Sequence, residues 1–131
     1  MHFVIVGAGI AGTTAADELR KLNPNAEITL ISHEEHPIYS RVLLPYYLVG
    51  KVPRERVFLK NESLYDEARI EWLRGLLVER LDTANRFVRL SDGRELPYDK
   101  LLITTGADAR TLTPDPRGVS YLRTLDDADH L

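Results

Sequence analysis

A chain of 131 residues, 44% of them apolar, can close one modest core, and one domain is the default expectation. A formal net charge of −3, with 17 Lys and Arg residues scattered along the sequence, offers no attraction for a polyanion and argues against nucleic acid as a partner. With no cysteine, the chain has no disulfide, no thiolate metal ligand and no thiol nucleophile.

The apolar runs Phe3 to Val6, Ile28 to Ile31 and Leu101 to Ile103 fall far short of the roughly 20 residues needed to cross a bilayer. A strand-like run begins at residue 2 and leaves no room before it for a secretory leader, so the expected compartment is the cytoplasm.

In chain order, Phe3 to Val6 reads as a buried parallel strand followed directly by a glycine-rich turn. From Ile10 onward, Ile10, Ala11, Ala15, Leu19 and Leu22 recur at helical spacing and predict an amphipathic helix ending at Asn23-Pro24-Asn25. Glu27 to Ser32 predicts a second strand with Ile28 and Leu30 alternating with Thr29 and Ile31. The first 32 residues thus spell a βαβ unit with two neighbouring parallel strands.

Arg41 to Val49 predicts a short buried helix starting near Ser40 and stopping at Gly50. Asn61 to Ala68 reads as another short helix, and Ile70 to Leu73 as a strand carrying Trp72. Leu76 to Leu81 and Arg86 to Leu90 alternate, Asp92-Gly93 signals a hairpin between Arg86 to Leu90 and the short Glu95 to Tyr98 run, and together they predict a small antiparallel meander inserted on the parallel sheet. Leu101 to Thr104 is a further buried strand, Thr113 to Pro116 an extended loop, and Leu125 to Leu131 the opening of a helix.

Gly7-Ala8-Gly9-Ile10-Ala11-Gly12 matches G-x-G-x-x-G in the context that gives this pattern meaning, after a strand and opening a helix. Gly7 permits the tight turn, Gly9 lets a dinucleotide diphosphate approach the backbone, and Gly12 allows close packing of helix on strand. The helix start at Ile10 presents unpaired N–H groups and a positive dipole end, so Ala8, Ile10 and Ala11 join the glycines as backbone contacts. NAD, NADP and FAD are all held by such turns, and the motif alone leaves the choice open.

An acidic partner for the ribose is expected about 20 residues past the turn, where Ser32 stands; the nearest carboxylates are Glu34 and Glu35. Glu34 is the preferred ribose contact, with Glu35 as the alternative and a merely solvated loop as the competing reading. His33-Glu34-Glu35-His36 lacks the i, i+4 spacing of helical zinc ligands, and no metal is expected.

Tyr98-Asp99-Lys100-Leu101-Leu102-Ile103-Thr104-Thr105-Gly106-Ala107-Asp108-Ala109-Arg110 resembles a segment of FAD-dependent pyridine nucleotide-disulfide oxidoreductases. There a buried strand runs into Thr-Gly beside FAD, and an arginine follows. The resemblance assigns those roles to Thr105, Gly106 and Arg110, with Thr104 in place of the usual alanine. Ile38 to Lys51 is similar to the segment that lies against the flavin in rubredoxin reductases, nitrite reductase large subunits and NADH oxidases, and implies a cofactor contact for Arg41. Val78 falls where the family's strand passes the adenine, implying a backbone contact, although a packed core valine explains it equally well.

Two departures narrow the implied chemistry. Val42 occupies the place of the redox cysteine of the NADH oxidase, peroxidase and coenzyme A-disulfide reductase branch, and Pro45 that of a lysine near the flavin in some ferredoxin reductases. The flavin's own hydride chemistry remains.

The implied fold is α/β, a Rossmann-like three-layer FAD/NAD(P)-binding domain with a parallel sheet and a small antiparallel meander. Residues 1–131 form a partial FAD-binding domain, lacking the NAD(P)H domain and the closing FAD segment. The implied function is the FAD-binding portion of an NAD(P)H-dependent oxidoreductase passing electrons to a small redox protein. The expected partners are the missing carboxy-terminal segment or a complementary chain, and a second copy, because the surface that segment covers would be apolar. An NAD(P)-binding dehydrogenase subunit and a non-catalytic nucleotide-binding or assembly module are the alternatives.

Overall fold

The run His2–Val6 forms the first strand, β1, and Phe3, Val4 and Ile5 are buried, covering both faces as a central parallel strand requires. The computed structural model describes residues 1–115 and 117–131. Two compact units make up the chain, Met1–Ile38 with Asn61–Gly106 and Tyr39–Lys60 with Ala107–Leu131.

In the first unit, helix α1 (Ile10–Leu22) follows β1 and leads into β2 (Glu27–Ser32), which pairs parallel to β1 with Phe3 opposite Ile28 and Ile5 opposite Leu30. Strand β3 (Glu71–Arg74) adds to the far side of β2, and β7 (Lys100–Ile103) to the far side of β1, giving a parallel sheet of order β3-β2-β1-β7. The predicted βαβ unit is therefore present, with its two strands as neighbours.

The period of two in a strand decides what each face meets. Phe3, Ile5, Ile28 and Leu30 pack with Ala16 of α1 and with Tyr65 and Ile70 around the short helix α3 (Ser63–Glu67). Val4 and Ile31 pack with Val88 and Leu90 of an antiparallel meander, β4 (Val78–Asp82), β5 (Phe87–Leu90) and β6 (Glu95–Pro97). Three layers result: helices, parallel sheet, meander.

Three expectations are corrected here. Strand β7, expected to be buried, lies at the edge of the sheet and leaves Leu102 and Ile103 exposed. The meander is a sheet of its own stacked on the parallel one, and not an insertion into it. On β2 the expected alternation of Ile28 and Leu30 with Thr29 and Ile31 is absent, all four being buried, because each face has its own cover.

Helix α1 also turns a different face inward than its apolar spacing predicts. Gly12, Thr13 and Ala16 are its buried residues, Ala15 and Leu19 are partly covered, and Ile10 and Leu22 are 68% and 77% exposed. Close approach to the sheet at the start of the helix selects small residues over large apolar ones.

In the second unit, the buried helix expected over Arg41 to Val49 is instead a 3-10 turn (Arg41–Leu43) running into α2 (Leu44–Leu48) with Leu44 alone buried, and a second 3-10 turn (Arg54–Val57) follows. Pro45, near the start of α2, suits a position whose N–H would be unpaired in any case. The predicted stop at Gly50 is realised with φ +75°, its N–H bonding the Tyr47 carbonyl while Lys51 N–H bonds that of Tyr46. Helix α4 (Leu125–His130) packs Leu125 and Ala128 against Tyr39, Leu44 and Val57. The loop expected over Thr113 to Pro116 has no helix or strand as far as Asp115; Pro116 lies outside the described residues.

Candidate nucleotide-binding site

Strand β1 ends at Val6, and the chain must turn at once to begin α1 at Ile10. Gly7 makes the bend at φ +106°, and its N–H is anchored on the Ile31 carbonyl at 2.8 Å. A side chain at Gly7 is excluded twice, by that φ and by the Thr104 carbonyl oxygen, which a Cβ would meet at 2.2 Å. At Gly12 a Cβ would sit 1.8 Å from the Gly7 carbonyl oxygen.

Gly9 is different. A Cβ there meets no atom within 4 Å, so nothing in the protein's own packing explains its lack of a side chain, and the space beside it is open for a ligand to approach the backbone. As the N-cap of α1 it supplies no side-chain cap, and the first turn carries no acidic residue. The helix thus presents its positive end to solvent, a fit for a diphosphate.

The second predicted motif arrives at the same place. β7 pairs with β1, Val6 opposite Ile103, and Thr104 N–H bonds the Val6 carbonyl at 2.7 Å. The Thr104–Thr105 peptide packs directly against Gly7, with Thr105 N 3.0 Å from the position of a Gly7 Cβ. Thr105 and Gly106 are exposed beyond the strand end, Gly106 with φ +71°. Two segments almost a hundred residues apart in sequence form one corner.

The sheet order explains the location. From β1 the chain moves outward through β2 to β3 on one side, then returns to place β7 on the other. The reversal falls between β1 and β7, at the carboxyl ends of parallel strands, where open α/β sheets bind ligands.

The predicted ribose residues lie past the carboxyl end of β2. Ser32 Oγ donates to the Glu34 carbonyl at 2.7 Å and shapes the loop, with Glu34 half-buried and Glu35 exposed. The Glu35 carboxylate lies against Gly75, whose Cβ would come within 2.9 Å of Oε1. Leu76 N–H bonds the Ser32 carbonyl, bringing the start of the meander to the same strand end. Val78, the first residue of β4, rests its side chain against the Val4, Ile31, Val88 and Leu90 cluster.

The two predicted arginines belong to the second unit. Arg41 lies 5.1 Å from the Tyr39 ring centroid and donates to the Arg123 carbonyl at 2.6 Å. Arg110 is exposed in a stretch without helix or strand. Among the described residues no group of three or more His, Asp or Glu could hold a metal.

The anchors beneath the turn went unread in the sequence. Thr104 Oγ1 donates to the Gly7 carbonyl at 2.9 Å, and Thr13 Oγ1 to the Ala8 carbonyl at 3.1 Å. The hydroxyl of Tyr65 engages Thr13 and accepts from Ile38 N–H at 3.1 Å; burial pushes that phenol up from its ordinary value. The only signal was Thr104 itself, a hydroxyl where alanine is usual.

The family model for pyridine nucleotide-disulphide oxidoreductases matches residues 1–131. The chain belongs to this family. It is 37% identical over 135 residues to a rubredoxin-NAD(+) reductase of Pseudomonas putida, covering 100% of this chain and 35% of that protein. To the ferredoxin–NAD(+) reductase component of a p-cumate 2,3-dioxygenase system from the same species it is 38% identical, over 98% of this chain and 33% of the relative. Among solved structures, the reductase fold in a covalent putidaredoxin reductase–putidaredoxin complex superposes with a TM-score of 0.89 at 34% identity, covering 98% of this chain and 32% of that one. The chain spans about a third of the length of the curated relatives it matches. The predicted fold class holds, and among the described residues no helix is long and apolar enough to cross a membrane.

Proposed function

We propose that this chain is the FAD-binding portion, residues 1–131, of an NAD(P)H-dependent flavoprotein oxidoreductase that delivers electrons to a small redox protein. The observation that carries the reading is the packing of the Thr104–Thr105 peptide against Gly7, which makes one corner of the glycine turn and the Thr-Gly segment. The names of the relatives, reductases of rubredoxin and ferredoxin, supply the acceptor class.

Within this reading the N–H groups from Gly7 to Gly12 hold the diphosphate, and Thr105 and Gly106 flank the same cofactor. Glu34, with Glu35 as the alternative, takes the ribose hydroxyls, Val78 offers backbone to the adenine, and Arg41 and Arg110 contact the flavin nucleotide. FAD, when bound, supplies hydride acceptance from NAD(P)H and onward electron transfer. With Val42 at the cysteine position and no cysteine anywhere in the chain, these residues add no thiol step. A carboxy-terminal segment completes the enzyme, the chain pairs with a second copy, and the cytoplasm is its compartment.

The test adds FAD to the chain, then the remaining two-thirds of the protein as a separate polypeptide, following retained flavin and NAD(P)H oxidation at each stage. Flavin retained at either stage, with oxidation only after the second, is the expected result. A colourless assembly that binds NAD(P) alone would instead support a dehydrogenase subunit.

A further inference from the structure

A loop that binds a diphosphate through backbone amides has a difficulty of its own, since each amide is followed by a carbonyl that repels the same anion. The turn between β1 and α1 meets it with two hydroxyls. Thr104 Oγ1, reaching across from the end of β7, donates to the Gly7 carbonyl at 2.9 Å, with a longer approach to the Val6 carbonyl at 3.2 Å. Thr13 Oγ1, 4% exposed in the first turn of α1, donates to the Ala8 carbonyl at 3.1 Å, while Thr13 N–H bonds the Gly9 carbonyl at 3.0 Å. The carbonyls of three consecutive residues, Gly7, Ala8 and Gly9, are thus occupied by donors of the protein.

We infer that the Thr104 and Thr13 hydroxyls are positioning residues for cofactor binding: they tie the turn's carbonyls inward and leave its amides as the ligand-facing groups. The inference rests on the FAD reading above and concerns how this chain holds the turn in shape. A hydrogen bond fixes a peptide plane, and fixing the carbonyl on one side of the plane fixes the next N–H on the other. Gly12 is part of the device, because a Cβ there would come within 2.7 Å of Thr104 Oγ1 as well as striking the Gly7 carbonyl. Tyr65, buried in the helix layer, hydrogen-bonds the Thr13 side chain as well.

The experiment compares the unsubstituted protein with Thr104→Val, which keeps the shape and removes the hydroxyl, and Thr104→Ser, which restores it. FAD affinity is read by titration, and amide hydrogen exchange is read on the cofactor-free protein. Thr104→Val is expected to weaken FAD binding roughly three- to tenfold, the worth of one hydrogen bond. It should also speed exchange at Ala8 to Gly12 while leaving β2 protected, and Thr104→Ser should return both close to the original. Thr13→Val, paired with Thr13→Ser, should behave alike through Ala8. Equal FAD affinity and exchange in Thr104→Val and the unsubstituted protein, or equal losses in the Val and Ser variants, would overturn the inference. If the unsubstituted protein binds no FAD, alone or with the remaining segment added, the FAD reading falls, and the exchange measurement alone decides whether the clamp exists.

Discussion

Gly12 stands against Gly7 so closely that a single methyl group on it would lie 1.8 Å from the Gly7 carbonyl oxygen, inside any possible contact. Gly9, between them, faces open space. The same residue type therefore meets two different surroundings within six positions, backbone packing at one and open space at the other.

The two surroundings separate by mutation. Gly12→Ala should destabilise the fold by about 1–3 kcal/mol, the usual range for forced overpacking, because backbone atoms must move. Gly9→Ala, at φ −73°, adopts an ordinary conformation and should leave stability within about 0.5 kcal/mol. Its FAD affinity should fall roughly tenfold or more, since the methyl group occupies the approach to the backbone. Chemical denaturation and FAD titration of both variants check the pair.

Arg20 is the main polar tie on the opposite end of α1. Its guanidinium donates to the carbonyls of Ala68 at 2.8 Å, Pro24 at 3.0 Å, Ala26 at 2.7 Å and Arg69 at 2.6 Å, joining the helix end to the turn before β2 and to the loop before β3. Arg20→Lys keeps the charge and loses the planar fork, and should cost about 1–2 kcal/mol. Urea unfolding with no gain in stability at high salt would fit this directional role; full tolerance of lysine would contradict it.

Tyr65 joins the helix layer to the chain leaving β2. Its ring stacks on Trp72 with centroids 4.6 Å apart, and its hydroxyl accepts from Ile38 N–H. Tyr65→Phe leaves a buried N–H without that acceptor and should cost about 1–3 kcal/mol, with the stack intact. Trp72 is the sole tryptophan, so its emission follows both the unfolding and the local environment.

Acid should loosen α4. Thr124 and Asp127 form a capping box, and burial, which pushes the Asp127 carboxyl up, is outweighed by the Thr124 and Arg123 N–H groups that hold it below its ordinary 3.8. A depressed native value means the stabilisation is full above the unfolded value and is lost as pH falls through the native one. Backbone chemical shifts of Leu125 to Ala128 should therefore move toward coil below about pH 3.8, and Asp127→Asn should show the loosening at neutral pH.

The order of elements was legible in the sequence because β1, the glycine turn, α1 and β2 are local patterns, each set by residues within a few positions. The Asp92-Gly93 hairpin and the stop at Gly50 were legible for the same reason, a positive φ at a glycine. The buried face of α1 was not, since apolar spacing marks where large side chains recur, while the close approach at Gly12, Thr13 and Ala16 is set by the sheet. Nor was the stacking of the meander on the parallel sheet, which depends on how the inward residues of two separate sheets meet. At the site, the glycine fingerprint and the Thr-Gly segment were each readable, but their junction at Gly7 and Thr104 is a contact across 97 residues that only the pairing of β1 with β7 creates.

The central claim is that one corner, made of the turn after β1 and the Thr-Gly segment after β7, receives FAD. Amide chemical shifts of the isotope-labelled chain, followed as FAD is added in large excess so that weak binding is still seen, address it residue by residue. The largest changes should fall on Gly7 to Gly12 and on Thr105 and Gly106 together. Changes confined to one of the two segments, or centred elsewhere in the chain, would contradict it, as would no change at saturating FAD both in the chain alone and with the remaining segment added.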